Sequence, residues 1–175
     1  MTENPRRYET RNGTLTLRRE CAEDDAFLFT LFAGHASRPF NRSDIPEPVI
    51  AQQMAIQYRA QTATHRALFP EAIYSIIESD NIPIGRLIEQ DEGETVYFVD
   101  FAFLPQRQAK GLGTALIEMI ADEWSLRGRA ARVEVLFTNE PSLKLCRNLG
   151  FVVMTESKTG YLELRRAPRA QPTGV

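Results

Sequence analysis

The stretch Thr95-Val96-Tyr97-Phe98-Val99-Asp100-Phe101-Ala102-Phe103-Leu104, continuing as Pro105-Gln106-Arg107-Gln108-Ala109-Lys110-Gly111-Leu112-Gly113-Thr114, decides how the rest of the chain is read. Its first half is almost continuously apolar and rich in β-branched and aromatic residues, the pattern of a strand covered on both faces at the centre of a sheet. Pro105 ends that run. From Gly111 the period changes: Leu112, Leu116, Ile120 and Trp124 recur at i, i+4 spacing with Glu118, Asp122 and Glu123 between them, so a helix runs to Arg127-Gly128. Two glycines and a lysine join strand to helix. Glycines let a loop bring its N–H groups close to an anion, a helix N-terminus adds positive potential, and Lys110 supplies a cation. A chain can hold a pyrophosphate this way without a metal.

Upstream of the central run, Leu15-Thr16-Leu17-Arg18 alternates as a short strand. Glu23-Asp24-Asp25 precedes the apolar run Ala26 to Phe32, and Gly34 closes it, which predicts a helix with acids at its positive end. A proline-bearing loop from Ser37 to Pro48 leads to a second helix carrying Val49, Ile50, Met54, Ile56 and Tyr58 and reaching His65. Ile73–Ile77 and Ile82–Ile88 around Asp80-Asn81 predict a hairpin. Downstream, Val133–Phe137 is a strand, Pro141–Asn148 a short helix begun at Asn139 and stopped by Gly150, and Phe151–Met154 and Tyr161–Leu164 are the last strands. Residues 1–12 read as a flexible arm, 13–165 as one mixed α/β domain, and 166–175 as a disordered tail.

The chain has 175 residues, 43% hydrophobic and 25% charged, with a formal net charge of -2. That is the size and composition of one globular domain with a core of its own. No run approaches 18 apolar residues, so no membrane span is expected, and the first residues lack the apolar segment of a secretory signal. With two cysteines, Cys21 and Cys146, no disulfide framework is expected, and the location that follows is cytoplasmic. The near-neutral charge does not suit non-specific nucleic-acid binding. His35 and His65 stand apart from any Cys or acid pair at ligand spacing, so no metal is expected.

Three phosphate-binding signatures compete for the glycine loop. The P-loop needs Lys-Ser/Thr after its second glycine, and Lys110 precedes Gly111, so that signature fails. The dinucleotide signature G-x-G-x-x-G/A fits Gly111 and Gly113, has Leu116 at its third position, and finds an acid, Glu134, about twenty residues on. A dinucleotide-binding oxidoreductase therefore stays open. The third pattern, Gln/Arg-x-x-Gly-x-Gly/Ala, is met by Gln108, Gly111 and Gly113. A second motif lies downstream in Asn139-Glu140-Pro141-Ser142-Leu143-Lys144-Leu145-Cys146-Arg147-Asn148-Leu149-Gly150-Phe151.

With both motifs at this separation, covering Val96 to Phe151, the chain resembles the GCN5-related N-acetyltransferase (GNAT) superfamily. The downstream stretch is similar to the family's Asn-x-x-Ala-x-x-Leu-Tyr-x-x-x-Gly-Phe, with Ser142 at the Ala position and Cys146 at the Tyr position. The resemblance implies an α/β fold with one mixed, mostly antiparallel sheet. That sheet is splayed between its two central parallel strands and carries helices on both faces. It also implies acetyl-CoA as co-substrate, a primary amine as acceptor, no metal, and a homodimer among the assemblies to consider.

Backbone groups of Phe101, Ala102 and Phe103 would hold the pantetheine arm, and the amides from Ala109 through Lys110, Gly111, Leu112 and Gly113 to Thr114 its pyrophosphate. Gln108 would flank that loop, Arg107 could reach the adenosine phosphate, and Asn139 and Ser142 belong to the same cofactor-binding set. Asp100, the one acid in the apolar central strand, is the candidate base, with Glu94 and cleft waters as alternatives. Many relatives use the missing Tyr as general acid, so Cys146 or a water replaces it here. The acceptor site falls, by the same resemblance, on the polar face of the second helix (Gln52, Gln53, Gln57, Arg59, His65) and the loop before it. An acyl-CoA binder with little turnover is the remaining alternative.

Overall fold

Eight strands, β1 (Arg6–Thr10), β2 (Gly13–Arg19), β3 (Ile73–Ser79), β4 (Ile82–Asp91), β5 (Thr95–Phe103), β6 (Ala130–Leu136), β7 (Val152–Glu156) and β8 (Tyr161–Arg166), form one sheet in the order β1-β2-β3-β4-β5-β6-β8-β7. This is a computed structural model, and it describes residues 4–36, 46–108 and 111–169. Neighbouring strands are antiparallel everywhere except β5 and β6, which run parallel. Helices α1 (Asp25–Ala36) and α2 (Glu47–Leu68) lie on one face, and α3 (Leu112–Leu126) and α4 (Glu140–Asn148) on the other. The assignment to faces follows from the strand period of two: Ile76 packs with Leu28 and Tyr58, while adjacent Ile77 joins the core under Leu116, Ile120 and Leu143. Among the described residues, no helix is long and apolar enough to cross a membrane.

The single parallel pair removes the dinucleotide reading of the glycine loop, since that fold requires successive parallel strands joined by crossover helices. Glu134 is instead an ion-pair partner of Arg132 at 2.9 Å.

Of the expected arm, residues 1–3 lie outside the described residues, and residues 6–10 form a strand. Arg6–Thr10 pairs with β2 from Arg6↔Leu17 to Thr10↔Gly13, and Gly13 turns the hairpin at φ 114°. No apolar alternation marks this strand in the sequence, because only Tyr8 of it is buried. Its polar side chains anchor it: Tyr8 donates to Glu123 Oε2 at 2.6 Å, and Arg6 pairs with Glu89. At the other end, β8 runs on to Arg166, and Arg166 and Arg169 both reach Asp122 of α3, at 2.5 and 2.8 Å. The first four residues of the expected tail therefore dock on the body, while 170–175 lie outside the described residues. Helix α1 passes through Gly34 to Ala36, because the residue packs its bare backbone against the Pro105 ring.

Candidate functional site

Strands β5 and β6 are paired only from Thr95↔Ala130 to Phe98↔Val133, after which both continue without pairing to each other. The cause lies on the other side of β5. Ile88 of β4 faces Asp100 and Glu89 faces Phe98, so Val99 has no partner and forms a bulge. A bulge bends its strand and sharpens its twist, and here it turns the end of β5 away from β6. It also resets the alternation: Val96 and Phe98, then Phe101 and Phe103, face the α3 core, while Asp100 and Ala102 turn to the α2 side. The diverging ends enclose a cleft of about 330 Å³, walled by Phe98, Phe101, Ile117, Leu145 and Cys146, with Asp100 and Glu134 at its polar lining. Backbone groups along these two edges have no strand partner, so an extended amide-bearing ligand can complete them as an added strand does.

At the end of β5, Pro105–Arg107 forms one 3-10 turn and the chain then enters α3. Gly111 caps that helix at φ 71°, a conformation that costs a residue with a Cβ about 1–2 kcal/mol. Leu112 is buried and fixes the first turn to the core, while Gly113 and Thr114 are half-buried. The first N–H groups of α3 have no partner inside the helix and stand at its positive end. Ala109 and Lys110 lie outside the described residues. Gln108 turns its amide back on the strand, donating from Nε2 to the Phe103 carbonyl at 3.1 Å; His35 of α1 meets the same oxygen through Nε2 at 2.8 Å. Both side chains thus pin the loop entrance to α1, a role that the motif pattern did not suggest.

Asn139 is the N-cap of α4, its Oδ1 accepting from the Ser142 amide at 3.3 Å, and both residues line the cleft. Cys146 follows one helical turn later, 8% exposed, and burial pushes its thiol up to about 11. Asp100 is held by Arg86, whose Nε and Nη2 donate to Oδ2 at 2.8 and 2.6 Å, while no described residue bonds Oδ1. Of the polar residues expected on the acceptor face of α2, Gln52, Gln53, Gln57 and Arg59 are exposed. His65 differs: it extends the inward stripe of Met54 and Tyr58, and its Nδ1 is buried without a partner among the described residues. Arg86 is a residue of this region to which the sequence assigns no role, whereas His65 was expected on the polar acceptor face of α2. Among the described residues no three His, Cys, Asp or Glu side chains cluster as metal ligands would.

A model of the acetyltransferase (GNAT) family matches residues 36–151. No curated protein matches the chain. Among solved structures, the PaiA N-acetyltransferase of Thermoplasma acidophilum in complex with coenzyme A superposes with a TM-score of 0.65 at 13% identity, covering 87% of this chain and 98% of that one. The ribosomal-protein-S18-alanine N-acetyltransferase of Escherichia coli gives 0.56 at 18% identity, with 92% and 98% covered. The yncA protein of Salmonella typhimurium with acetyl-CoA gives 0.54 at 19% identity, with 91% and 96% covered. At these identities the likeness is one of fold.

Proposed function

Because the chain belongs to the acetyltransferase (GNAT) family, we propose that it transfers the acetyl group of acetyl-CoA to a primary amine by direct attack on the thioester. The observation that carries this reading is the unpaired wedge between β5 and β6, open beside the glycine-capped N-terminus of α3. Phe101, Ala102 and Phe103 offer the pantetheine arm a strand edge, and the loop from Gln108 through Ala109 and Lys110 to Thr114 receives the pyrophosphate. The amine nitrogen bonds to the acetyl carbon, the C–S bond breaks with its electron pair going to sulfur, and the thiolate takes up a proton as the nitrogen loses one. Asp100, kept in place by Arg86 through Oδ2 and with no bond to Oδ1 from the described residues, is among the cleft-lining residues and is the candidate base for this step. The two free cysteines accord with a cytoplasmic setting.

Cys146 occupies the position where many relatives place a tyrosine acid. Burial pushes its thiol up to about 11, which makes it a weaker acid than an ordinary cysteine thiol of about 8.5 and a poor proton donor to a thiolate. We therefore assign the final protonation to a cleft water. Cys146→Ala is expected to keep turnover within about threefold of wild type in a thiol-release assay. A loss of a hundredfold would return the role to the thiol.

Ligand-dependent melting tests the reading as a whole. Acetyl-CoA at about 100 times its Kd should add about 2.7 kcal/mol and raise Tm by roughly 5–10 °C in a chain of this size. NAD(P) should leave Tm unmoved. Thiol release with spermidine, glucosamine, an aminoglycoside and an alanine-initiated hexapeptide then finds the acceptor class. Cys146 in place of the tyrosine also favours a second reading, an acyl-CoA binder with little turnover; a Tm shift without thiol release from any amine would select it.

A further inference from the structure

Strand β1 begins at Arg6, opposite Leu17, while β2 and β3 stay paired two residues further, as far as Arg19↔Ser75. A second cavity of about 330 Å³ lies at this corner, between the ends of β2 and β3 and the last turn of α3. The period of two decides which side chains look into it. Leu17 and Ile77 belong to the core under α3, so Arg19 and Ser75, each two residues along, point to that side, and Arg6 opposite Leu17 does too. Leu17 and Ile73 supply apolar wall, and Trp124 and Arg127 close it from the helix. Gly111 caps the other end of that 15-residue helix, about 20 Å away.

The lining is cationic. Arg6, Arg19 and Arg127 reach the cavity from three different elements, and Glu123 is its one acid among the described residues. Arg18, also in the wall, turns its guanidinium to the opposite face, onto Asp24 and Glu78. Arg6 is engaged by the buried Glu89 and by Glu123. Arg127 gives Glu123 one bond, Nη2 to Oε1 at 2.9 Å, and lies 5.0 Å over the Trp124 ring; no described residue bonds its Nε or Nη1. The Trp124 and Ser125 carbonyls at the helix end are taken by the N–H groups of Arg127, Gly128 and Arg129, so they are not bare toward an anion. Ser75 is 3% exposed and no described residue bonds its hydroxyl, which is costly in a buried group unless something in the cavity bonds it.

We propose that this cavity binds a small carboxylate with an apolar body, at a site separate from the acetyl-CoA cleft and independent of the acetyl-transfer reading. Planar guanidinium forks match a planar carboxylate, and Ser75 donates to it from the wall. The apolar body lies on Leu17, Ile73 and the Trp124 ring, surface that a small hydrated inorganic anion would leave unused. Glu123 at the same wall repels a dianion more than a monoanion, which favours carboxylate over phosphate.

Trp124 is the only tryptophan of the chain and lines this cavity, not the cleft, so its fluorescence reports occupancy here. Phenylacetate titrated into the full chain should change the emission saturably, with half-saturation at or below about 1 mM. Phenylacetamide, the same body without the charge, and inorganic phosphate should each bind at least about tenfold more weakly. Arg127→Gln should weaken phenylacetate by about tenfold or more, and Ser75→Ala by about three- to tenfold, each with the acetyl-CoA melting shift intact. Saturating acetyl-CoA should leave the phenylacetate midpoint within about twofold. Emission that fails to saturate by about 10 mM overturns the site, and phenylacetamide binding as tightly as phenylacetate overturns its anion selectivity. A titration unmoved in both variants, or one displaced by acetyl-CoA, places the ligand elsewhere and overturns it equally.

Discussion

Arg6→Ala is expected to lower the free energy of unfolding by about 3 kcal/mol, and Tm by roughly 6–12 °C. Glu89 sits in β4 with no exposed surface, facing the α3 core through a strand whose other inward residues are apolar. Its charge is tolerated because Arg6 pairs with it and Trp124 Nε1 donates to Oε1 at 2.9 Å. Removing the arginine leaves a buried carboxylate with one neutral donor, and breaking such a pair typically costs 3–5 kcal/mol. The lower end applies here because the Arg6 side chain is 28% exposed, so water can enter the gap it leaves. Urea denaturation measures the loss. The double variant Arg6→Ala/Glu89→Gln should recover much of it, since a neutral amide keeps the Trp124 bond without an unpaired charge. A midpoint unchanged in the single variant would show that the hairpin of β1 and β2 holds without this ion pair.

That ion pair also marks how far the sequence could be read. The central strand, the helix after it and the downstream motif declare themselves through periodicity and glycine spacing, which are local properties. Strand β1 does not, because its stability comes from Arg6 and Tyr8 finding acids more than eighty residues away. One signal was present: Glu89 is an acid between Ile88 and Gln90 in a strand otherwise buried, and such a group requires a cation from elsewhere in the chain.

The site divides in the same manner. Asn139, Ser142 and Cys146 line one cleft, each placed by α4, while Gly111 and Gly113 open α3; helix termini and turns of this kind are local and can be read from spacing. The wedge has no local signature, because the register between β5 and β6 is a contact across more than thirty residues and Val99 looks like any other apolar strand residue. The partner of Asp100 was within reach of inference. Arg86 is the only cation in β4 and Asp100 the only charge in β5, and two lone opposite charges in a hairpin on one face are expected to meet. His65 needed the helix drawn on a wheel: Met54, Tyr58 and His65 share one stripe, whereas Gln57 and Arg59 do not.

Gly113→Asp should separate the two demands made on the start of α3, raising the stability of the free protein while abolishing its response to the cofactor. A Cβ at Gly113 would touch the Phe103 and Phe101 rings at 3.4 and 3.5 Å, which is ordinary contact, so the backbone need not move. Gly113 is the second residue of the helix, where an acid complements the macrodipole and any side chain restrains the unfolded chain more than glycine does. Both effects favour the apo fold, together by about 1 kcal/mol. Toward a pyrophosphate the sign reverses. A carboxylate about 4–6 Å from a phosphate charge at an effective dielectric near 20 is repelled by roughly 3–4 kcal/mol, and partial screening still leaves about a hundredfold loss in Kd. Gly113→Ala, lacking the charge, should keep CoA affinity within about tenfold, its Cβ being the only added bulk. Melting curves of the three proteins with and without CoA supply both quantities. A Gly113→Asp protein that still melts several degrees higher with CoA would place the pyrophosphate away from this turn, and with it the cofactor-binding role assigned to Gly111, Leu112, Gly113 and Thr114.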